Sequence, residues 1–276
     1  MYKFSATQWI FGKEPLEDVL ERLKRYGYDG VELTGIEEDV DPAETLRLLD
    51  EYGLECTSIC GTYPRDRDLA SPNEAKRRRA VEYVKRNVDF AAATGAALVI
   101  VVPTPIGKSG PESTREEEWA LAVDSLKKAG AYAAARGVVL AVEALNRFET
   151  YLVNTLEAAK SLVEQVDMPS VRLMADVFHM NIEERSLTEA LRSVAPHLAH
   201  VHIADNTREA AGLGTIDFRA VMATLRDIGY RGAIAMEFMP RVANPYLSAE
   251  QGADAERFDE AVETSIRHVK AALDDA

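Results

Sequence analysis

The sequence alternates eight times between a short run of apolar or β-branched residues and a longer amphipathic run. The short runs are typical of buried strands, and the longer runs have the spacing of helices that bury one face. The predicted strands lie at 3–9, 29–35, 54–60, 97–103, 138–145, 170–177, 198–205 and 232–238. The predicted helices lie at 15–26, from Asp41-Pro42 onward, at 73–94, after Thr114, after a cap at Asn154, at 187–195, at 217–229 and up to about residue 273.

Several predicted helices end at a glycine just before the next strand, in the segments YGYDG, EYGLE, ATGAA, ARGVV and IGYRG. Glycine there favours the left-handed backbone that closes many helices. Eight strand–helix units without a linker or a shift in composition predict an α/β protein with one (β/α)₈ TIM barrel domain over residues 1–276. A doubly wound open sheet is the alternative, but its glycine-rich first turn is replaced here by QWIFGKEP.

Composition narrows the class of protein. The chain is 47% hydrophobic and 28% charged, with no run apolar enough for a signal peptide or a membrane span. We therefore expect a soluble, cytoplasmic protein without a membrane partner. The net charge of −14 opposes binding to nucleic acid, and the basic run 76–79 fits a solvated helix face. Cys56 and Cys60 are predicted to be reduced core residues.

Four consecutive predicted strands each place one ionisable residue near their C-terminal end: Glu143, Asp176, His202 and Glu237. Alternate residues of a barrel strand face the interior, and the residues two and four positions before each of these are also interior candidates. The four side chains should therefore meet at the C-terminal mouth of the barrel. Taken singly, a carboxylate at a strand end is more often a helix cap or an ion-pair partner. A lone histidine is likewise more often a satisfied core residue.

Together, four such groups would repel and desolvate one another unless a cation lay between them. Three carboxylates and one imidazole are a better ligand set for an octahedral divalent ion than for a tetrahedral zinc site, which is typically built from thiolates. We therefore predict one divalent metal ion, Mn²⁺ with Mg²⁺ or Co²⁺ as alternatives, held by Glu143, Asp176, His202 and Glu237.

Four segments carry a resemblance to a known family: VEALNRFE (142–149), ADVFHMNIEE (175–184), HVHIADNTR (200–208) and AMEF (235–238). They resemble the D-tagatose/D-psicose (allulose) 3-epimerases of the xylose isomerase-like, endonuclease IV-like barrel superfamily. NRFE and FHMNIEE are the specific signals, and the eightfold alternation is generic to the superfamily. The resemblance implies that the four strand-end residues are metal ligands and that Glu149, His179 and Arg208 bind substrate oxygens.

The resemblance implies C3 epimerisation of a ketose, and the parts of the centre suit that reaction. A cation chelated by a carbonyl and a neighbouring hydroxyl oxygen acidifies the C–H between them and stabilises an enediolate. Glu143 and Glu237, on opposite sides of the metal, can remove the proton from one face and return it to the other. The three substrate residues also have structural explanations, namely a helix-start bond for His179, a pair with Asp205 or Glu209 for Arg208, and a pair with Arg147 for Glu149.

The loops around this centre depart from the epimerase pattern. CGTYPRDRDL follows the third strand, VVPTPIGKSGPESTREEEW covers the fourth strand end, and ADNTREAAGLGTIDF follows the seventh. The sequence therefore leaves the identity of the sugar undetermined. The alternative function is a lyase of the same superfamily, either a C-glycoside deglycosidase catalytic subunit acting on 3-keto glycosides or an inosose-type dehydratase. An endonuclease IV-like repair enzyme ranks last, because its trinuclear zinc cluster needs several more histidine ligands and only His179 and His202, of the five histidines present, are well placed for it.

The remaining expectations concern substrate charge and assembly. Lys108, Arg115 and Arg241 are loop cations that could bind a phosphorylated sugar. The resemblance implies a homodimer or homotetramer, or a complex with a second subunit if the protein is a deglycosidase. Residues 240–252 could form a lid or a subunit contact.

Overall fold

Eight parallel strands close into a barrel in the computed structural model, which describes residues 2–36, 40–239 and 255–275. The strands are β1 (Phe4–Thr7), β2 (Gly30–Thr34), β3 (Glu55–Cys60), β4 (Leu98–Val101), β5 (Val139–Val142), β6 (Val171–Asp176), β7 (Leu198–Ile203) and β8 (Ile234–Met236). Each strand pairs with the next, and β8 pairs with β1 through Ala235 and Ser5. The predicted (β/α)₈ fold class is confirmed.

Helices surround the barrel, and the described residues contain nine α-helices. They are α1 (Leu16–Arg25), α2 (Pro42–Tyr52), α3 (Glu74–Thr94), α4 (Arg115–Ala134), α5 (Leu156–Val166), α6 (Val177–Glu183), α7 (Leu187–Ser193), α8 (Phe218–Asp227) and α9 (Ala255–Asp274). The short helix α6, which contains His179, begins directly at the end of β6; a helix start was predicted at His179, but no separate helix with its own bounds. None of the described helices has both the length and the apolar composition needed to cross a membrane.

Local capping explains most of the helix starts and ends. Asp41 accepts a hydrogen bond from the backbone of Ala43 at the start of α2, and Gly53 ends that helix with φ 65°. The predicted cap at Asn154 is wrong, because Thr155 caps α5. The amide of Asn154 instead donates to Leu145 O and Thr150 O, at 2.8 and 2.9 Å. It thereby ties together the chain segment that follows β5.

The barrel interior is filled below its C-terminal mouth. Cys60, Leu98, Ile100, Ala141 and Met174 form a small apolar cluster there. Residues on the outer face of the strands pack against the helices in a larger core. The two cysteines are free and buried, as predicted. Close packing under the mouth fixes the strand ends that carry polar side chains.

Candidate active site

The structure brings the four strand-end residues together. Glu143 follows β5, Asp176 ends β6, His202 lies in β7 and Glu237 follows β8. All four are buried, and one potential ligand atom from each lies within 4.8 Å of the others. We call these residues the mouth cluster. Their approach follows from the barrel, because the carboxyl ends of its parallel strands meet at one rim.

The mouth cluster fits a divalent cation. Asp176 Oδ2 is buried without a hydrogen-bond partner among the described residues. His202 Nδ1 lies 3.2 Å from Glu237 Oε2 and 4.0 Å from Asp176 Oδ2. Three carboxylates this close repel one another when ionised, and a dication between them would offset that repulsion. Three carboxylates and an imidazole are also ligands that hard or borderline divalent ions accept.

Burial and mutual charge shift the pKa values in the mouth cluster. Burial, and then the charge of Glu237, raise the pKa of Glu143 well above its usual range. Burial also raises the pKa of Asp176. Burial opposes ionisation of Glu237 as well, but the charges of His202 and Arg208 prevail and lower its pKa to about 2. Burial acts to lower the pKa of His202, yet the charges of Glu32 and Glu237 raise it well above its usual range.

These shifts predict that metal affinity increases with pH. In the metal-free protein Glu143 and His202 hold protons above their usual pKa values, and each must lose its proton before it can coordinate a cation. Raising the pH removes those protons in advance, so the dissociation constant for Mn²⁺ should fall as the pH rises above the usual histidine pKa of roughly 6.5. Titration calorimetry in buffers of different ionisation enthalpy should detect the released protons. An affinity independent of pH, without proton release, would contradict this expectation.

The three residues assigned to substrate binding line the same cavity as Glu143 and Glu237, a space of ≈ 480 Å³. Arg208 is buried rather than on the surface, and its guanidinium lies 3.0 Å from Glu237 Oε2 and 3.6 Å from Glu149 Oε1. Arg147 pairs with Glu183 instead of Glu149. The surface ion pairs suggested as alternatives for Glu149 and Arg208 are therefore not the arrangement found.

His179 lies between a loop and the mouth cluster. Its Nδ1 accepts a hydrogen bond from the side-chain amide of Asn146 at 2.8 Å, and the backbone N–H of Asn146 lies 3.2 Å away. Its Nε2 lies 3.5 Å from Asp176 Oδ2 and 3.9 Å from Glu143 Oε1. Because Nδ1 accepts, the proton of the neutral ring belongs on Nε2, directed towards the two carboxylates. His179 is therefore bonded to the backbone, as the structural explanation suggested, and it also lines the cavity.

Two further residues contact the mouth cluster and were not identified from the sequence. The indole of Trp9 donates from Nε1 to Glu237 Oε1 at 2.9 Å. Glu32 Oε1 lies 2.9 Å from His202 Nε2, and its other oxygen accepts a hydrogen bond from Ser58 at 2.6 Å. A glutamate inside the apolar strand DGVELTG was the available signal for Glu32. A carboxylate on the far nitrogen of a ligand histidine orients the ring and raises its basicity.

Glu32→Gln is therefore expected to weaken Mn²⁺ binding by about 10- to 100-fold, the usual effect of losing a carboxylate behind a ligand histidine. The reason is that the neutral amide of glutamine lacks the negative charge with which Glu32 orients the His202 ring and raises its basicity. Titration calorimetry at fixed pH would measure the change. Glu51→Gln, at a surface position with 55% side-chain exposure, is the matched control. Unchanged affinity in Glu32→Gln would show that His202 is oriented without it.

Apolar side chains from the loops after β3, β4 and β5 line the cavity away from the mouth cluster: Tyr63, Pro64, Val102, Ile106 and Leu145. The structure does not support the suggested phosphate site. Lys108 contacts two carboxylates, and the guanidinium of Arg115 donates to Tyr151 O and Leu152 O. Arg241 and residues 240–252 lie outside the described residues.

A closed (β/α)₈ barrel with carboxylates and a histidine at its mouth defines the class of protein. Residues 20–271 match the family model of the xylose isomerase-like TIM barrel, and the chain belongs to that family. It is 33% identical to a 3-dehydro-D-guloside 4-epimerase of Escherichia coli, over 83% of this chain and 90% of that one.

Other relatives are ketose epimerases. The chain is 30% identical to a D-psicose 3-epimerase of Ruminiclostridium cellulolyticum, over 92% of this chain and 89% of that one. A solved L-ribulose 3-epimerase superposes with a TM-score of 0.89 at 25% identity, covering 99% of this chain and 95% of that one. The resemblance drawn from the sequence motifs is confirmed, as is the expected function of a sugar epimerase, an enzyme of the isomerase class.

Proposed function

We propose that the protein inverts the carbon next to the carbonyl of a ketose, at C3, with one divalent metal ion in the mouth cluster. The observation that carries the proposal is that Glu143 and Glu237 both line one cavity while belonging to a set of four potential ligands. The ketose 3-epimerases among the relatives support the same reaction. The donor set favours Mn²⁺, with Mg²⁺ or Co²⁺ as alternatives.

The two glutamates would exchange the proton. A bound cation would polarise the carbonyl and so acidify the adjacent C–H. Glu237 would begin as the ionised carboxylate that receives the proton, because His202, Arg208 and Trp9 all contact it and stabilise its charge. Glu143 is suited to hold a proton, because burial favours its neutral form. Removal at one face of the carbon and return at the other inverts the stereocentre, and the roles exchange in the reverse direction.

Glu149, His179 and Arg208 would hold the sugar in place. Arg208 contacts both Glu149 and Glu237, so its guanidinium can direct a sugar oxygen towards the reacting carbon. The Nε2 proton of His179 can hydrogen-bond an oxygen above Asp176 and Glu143. Fixing several oxygens at once lowers the entropic part of the barrier. A cytoplasmic location and a homodimer or homotetramer belong to the same proposal.

The test is incubation of metal-loaded protein separately with D-fructose, D-allulose, D-tagatose and L-ribulose, followed by chromatographic separation of epimers. We expect interconversion of at least one C3 pair and loss of that activity after treatment with a chelator. Inactivity towards all four sugars would reject the ketose proposal.

A second candidate is epimerisation at C4 of a 3-keto glycoside. The apolar wall favours it, because Ile106 is 49% exposed in the cavity, where the aglycone of a glycoside could cover it. The E. coli relative named above is a guloside 4-epimerase. A carbon next to the keto group is again the reacting centre, so the same two glutamates would serve. Incubation with a methyl 3-keto glucoside distinguishes the outcomes: epimer formation supports this candidate, and release of methanol supports the lyase alternative.

A further inference from the structure

A buried ion cluster joins the two loops that form most of the apolar wall of the cavity. Lys108 Nζ lies 2.7 Å from Asp68 Oδ2 and 2.5 Å from Glu118 Oε2, and the three side chains are 9%, 2% and 0% exposed. Asp68 belongs to the loop after β3, Lys108 to the loop after β4, and Glu118 to α4. All three stand apart from the residues that line the cavity.

Helix α4 and its preceding turn complete this ion cluster. The second oxygen of Glu118 accepts hydrogen bonds from the backbone N–H groups of Glu112 and Ser113. The hydroxyl of Tyr151 donates to the oxygen of Glu118 that Lys108 also contacts. Every charged group in the cluster therefore has an opposite charge or a hydrogen-bond partner, as a buried ionic group requires.

The loop after β4 is also bonded to the segment that carries Glu149. The backbone N–H of Gly107 donates to Glu149 O at 2.7 Å. The hydroxyls of Thr104 and Thr150 lie 2.6 Å apart, and both side chains are buried. Ile106, between these two links, lines the cavity. The position of the loop thus sets the position of one apolar and one acidic residue of the cavity.

A buried ion cluster contributes little net stability, because desolvation of its charges offsets most of their attraction. Its stronger effect here is geometric. The ammonium group of Lys108 can contact both Asp68 and Glu118 only when the loop after β4, the loop after β3 and α4 keep one fixed arrangement. An apolar side chain at the position of Lys108 would leave the carboxylates of Asp68 and Glu118 without their shared cation, so the cluster would no longer hold the three elements in that arrangement.

We propose that Lys108 is a positioning residue for substrate binding. It fixes the turn 105–108 between α4 and the loop after β3, and so holds Ile106 and Glu149 in the wall of the cavity. The inference rests on the proposed function, which assigns Glu149 to the substrate. Metal binding is independent of Lys108, because the mouth cluster comes from β5 to β8 and their ends.

The kinetic test compares Lys108→Met with Lys128→Met, whose lysine is 62% exposed and pairs with Asp124 on the surface. With D-fructose and D-allulose as substrates, Lys108→Met should raise KM about 10-fold and change kcat less than about 2-fold, as expected when ground-state positioning is lost. Mn²⁺ affinity by calorimetry should equal that of the wild type. A fall in kcat at unchanged KM, or a loss of Mn²⁺ affinity, would overturn the proposal.

Hydrogen exchange measured by mass spectrometry tests the hydrogen bond between Gly107 N–H and Glu149 O, and it does not require an active enzyme. The amide of Gly107 should exchange at least about 10-fold faster in Lys108→Met than in Lys128→Met, because its bond to Glu149 O opens more often. Equal exchange in the two variants would overturn the proposal. This measurement also separates the two ideas: wild-type protein inactive on every sugar rejects the proposed function, while the exchange result still decides the role of Lys108.

Thr104→Val is a second variant that leaves the ion cluster intact. It removes the hydroxyl contact with Thr150 at nearly constant volume, so it should raise KM about 3-fold and leave Mn²⁺ affinity unchanged, in line with the loss of one neutral hydrogen bond. If Lys108→Met does not fold, this variant and its Gly107 exchange rate decide the question. Wild-type KM together with wild-type exchange would then overturn the proposal.

Discussion

Glu143→Gln and Glu237→Gln are each expected to lower kcat by about 10²- to 10⁴-fold, the contribution of a positioned acid or base. An amide cannot take up or release the proton of the reacting carbon, and it is a poorer ligand for a divalent cation. The assay is epimerisation at saturating Mn²⁺, so that weaker metal binding is separated from lost proton transfer. Glu51→Gln, on the surface, should keep wild-type kcat.

Solvent exchange sharpens this prediction. In D₂O, each variant retains one of the two carboxylates, so it should still exchange the C3 hydrogen of one epimer while failing to produce the other. Glu143→Gln and Glu237→Gln should favour opposite epimers, because the proposed mechanism places the two carboxylates on opposite sides of that carbon. Mass spectrometry of the recovered sugars measures the deuterium. Wild-type turnover in either variant, or exchange of the same epimer by both, would contradict the two-base mechanism.

Asp176→Asn is expected to weaken Mn²⁺ binding by at least about 100-fold, since losing even a partner of a ligand costs about 10- to 100-fold. The variant should still fold. Asp176 Oδ1 caps α6 by accepting from Phe178 N at 2.8 Å, and asparagine is an equally good cap. Only Oδ2, the oxygen that faces His179 and His202, changes its chemistry.

Thermal unfolding provides a second measurement for Asp176→Asn. Burial and the charge of Glu237 both disfavour the ionised form of Asp176. Removing that charge should therefore raise the Tm of the metal-free protein by about 2–4 °C, the equivalent of roughly 1 kcal/mol at this chain length. Added Mn²⁺ should raise the Tm of the wild type but not that of the variant. Metal-dependent stabilisation equal to the wild type would show that Asp176 is not a ligand.

His179→Ala supplies the contrast, because it should keep Mn²⁺ affinity and lose turnover. Its Nε2 points at the carboxylates of Asp176 and Glu143 from 3.5 and 3.9 Å, whereas its Nδ1 is occupied by Asn146. Loss of metal together with turnover would place His179 among the ligands instead.

The alternation of side chains along each strand and the order of the strands were enough to predict that the four mouth-cluster residues lie together. In a parallel barrel alternate side chains enter the interior and all carboxyl ends share one rim, so one residue per strand end suffices. Glu143, Asp176, His202 and Glu237 were found in this way, and their potential ligand atoms lie within 4.8 Å. The predicted strand bounds differ from the structure only by residues at the strand ends.

Contacts across the barrel could not be predicted from local pattern. Trp9 and Glu237 are 228 residues apart in the sequence, and Glu32 is 168 residues from His200, which its carboxylate also approaches. Such contacts depend on barrel size and strand stagger, which no short segment specifies.

Loop conformation determines the position of Arg208, which the sequence left open. Arg208 has φ 62°, a left-handed conformation uncommon outside glycine. Its backbone N–H bonds to Asp205 O at 2.8 Å in a tight turn, and its side chain enters the cavity. Residue preferences would not suggest that conformation for arginine, so a surface ion pair was an equally reasonable expectation from sequence.

The pairing of β8 with β1 has a consequence for how the centre is assembled during synthesis. All four mouth-cluster residues follow residue 142 in the sequence, and the last of them, Glu237, meets Trp9, which lies just after β1. A nascent chain that has not yet docked its last strand lacks both a complete ligand set and the indole that restrains Glu237. A divalent ion that needs all four ligands would therefore bind only after the last strand has joined the barrel, so it could not serve as a nucleus for folding.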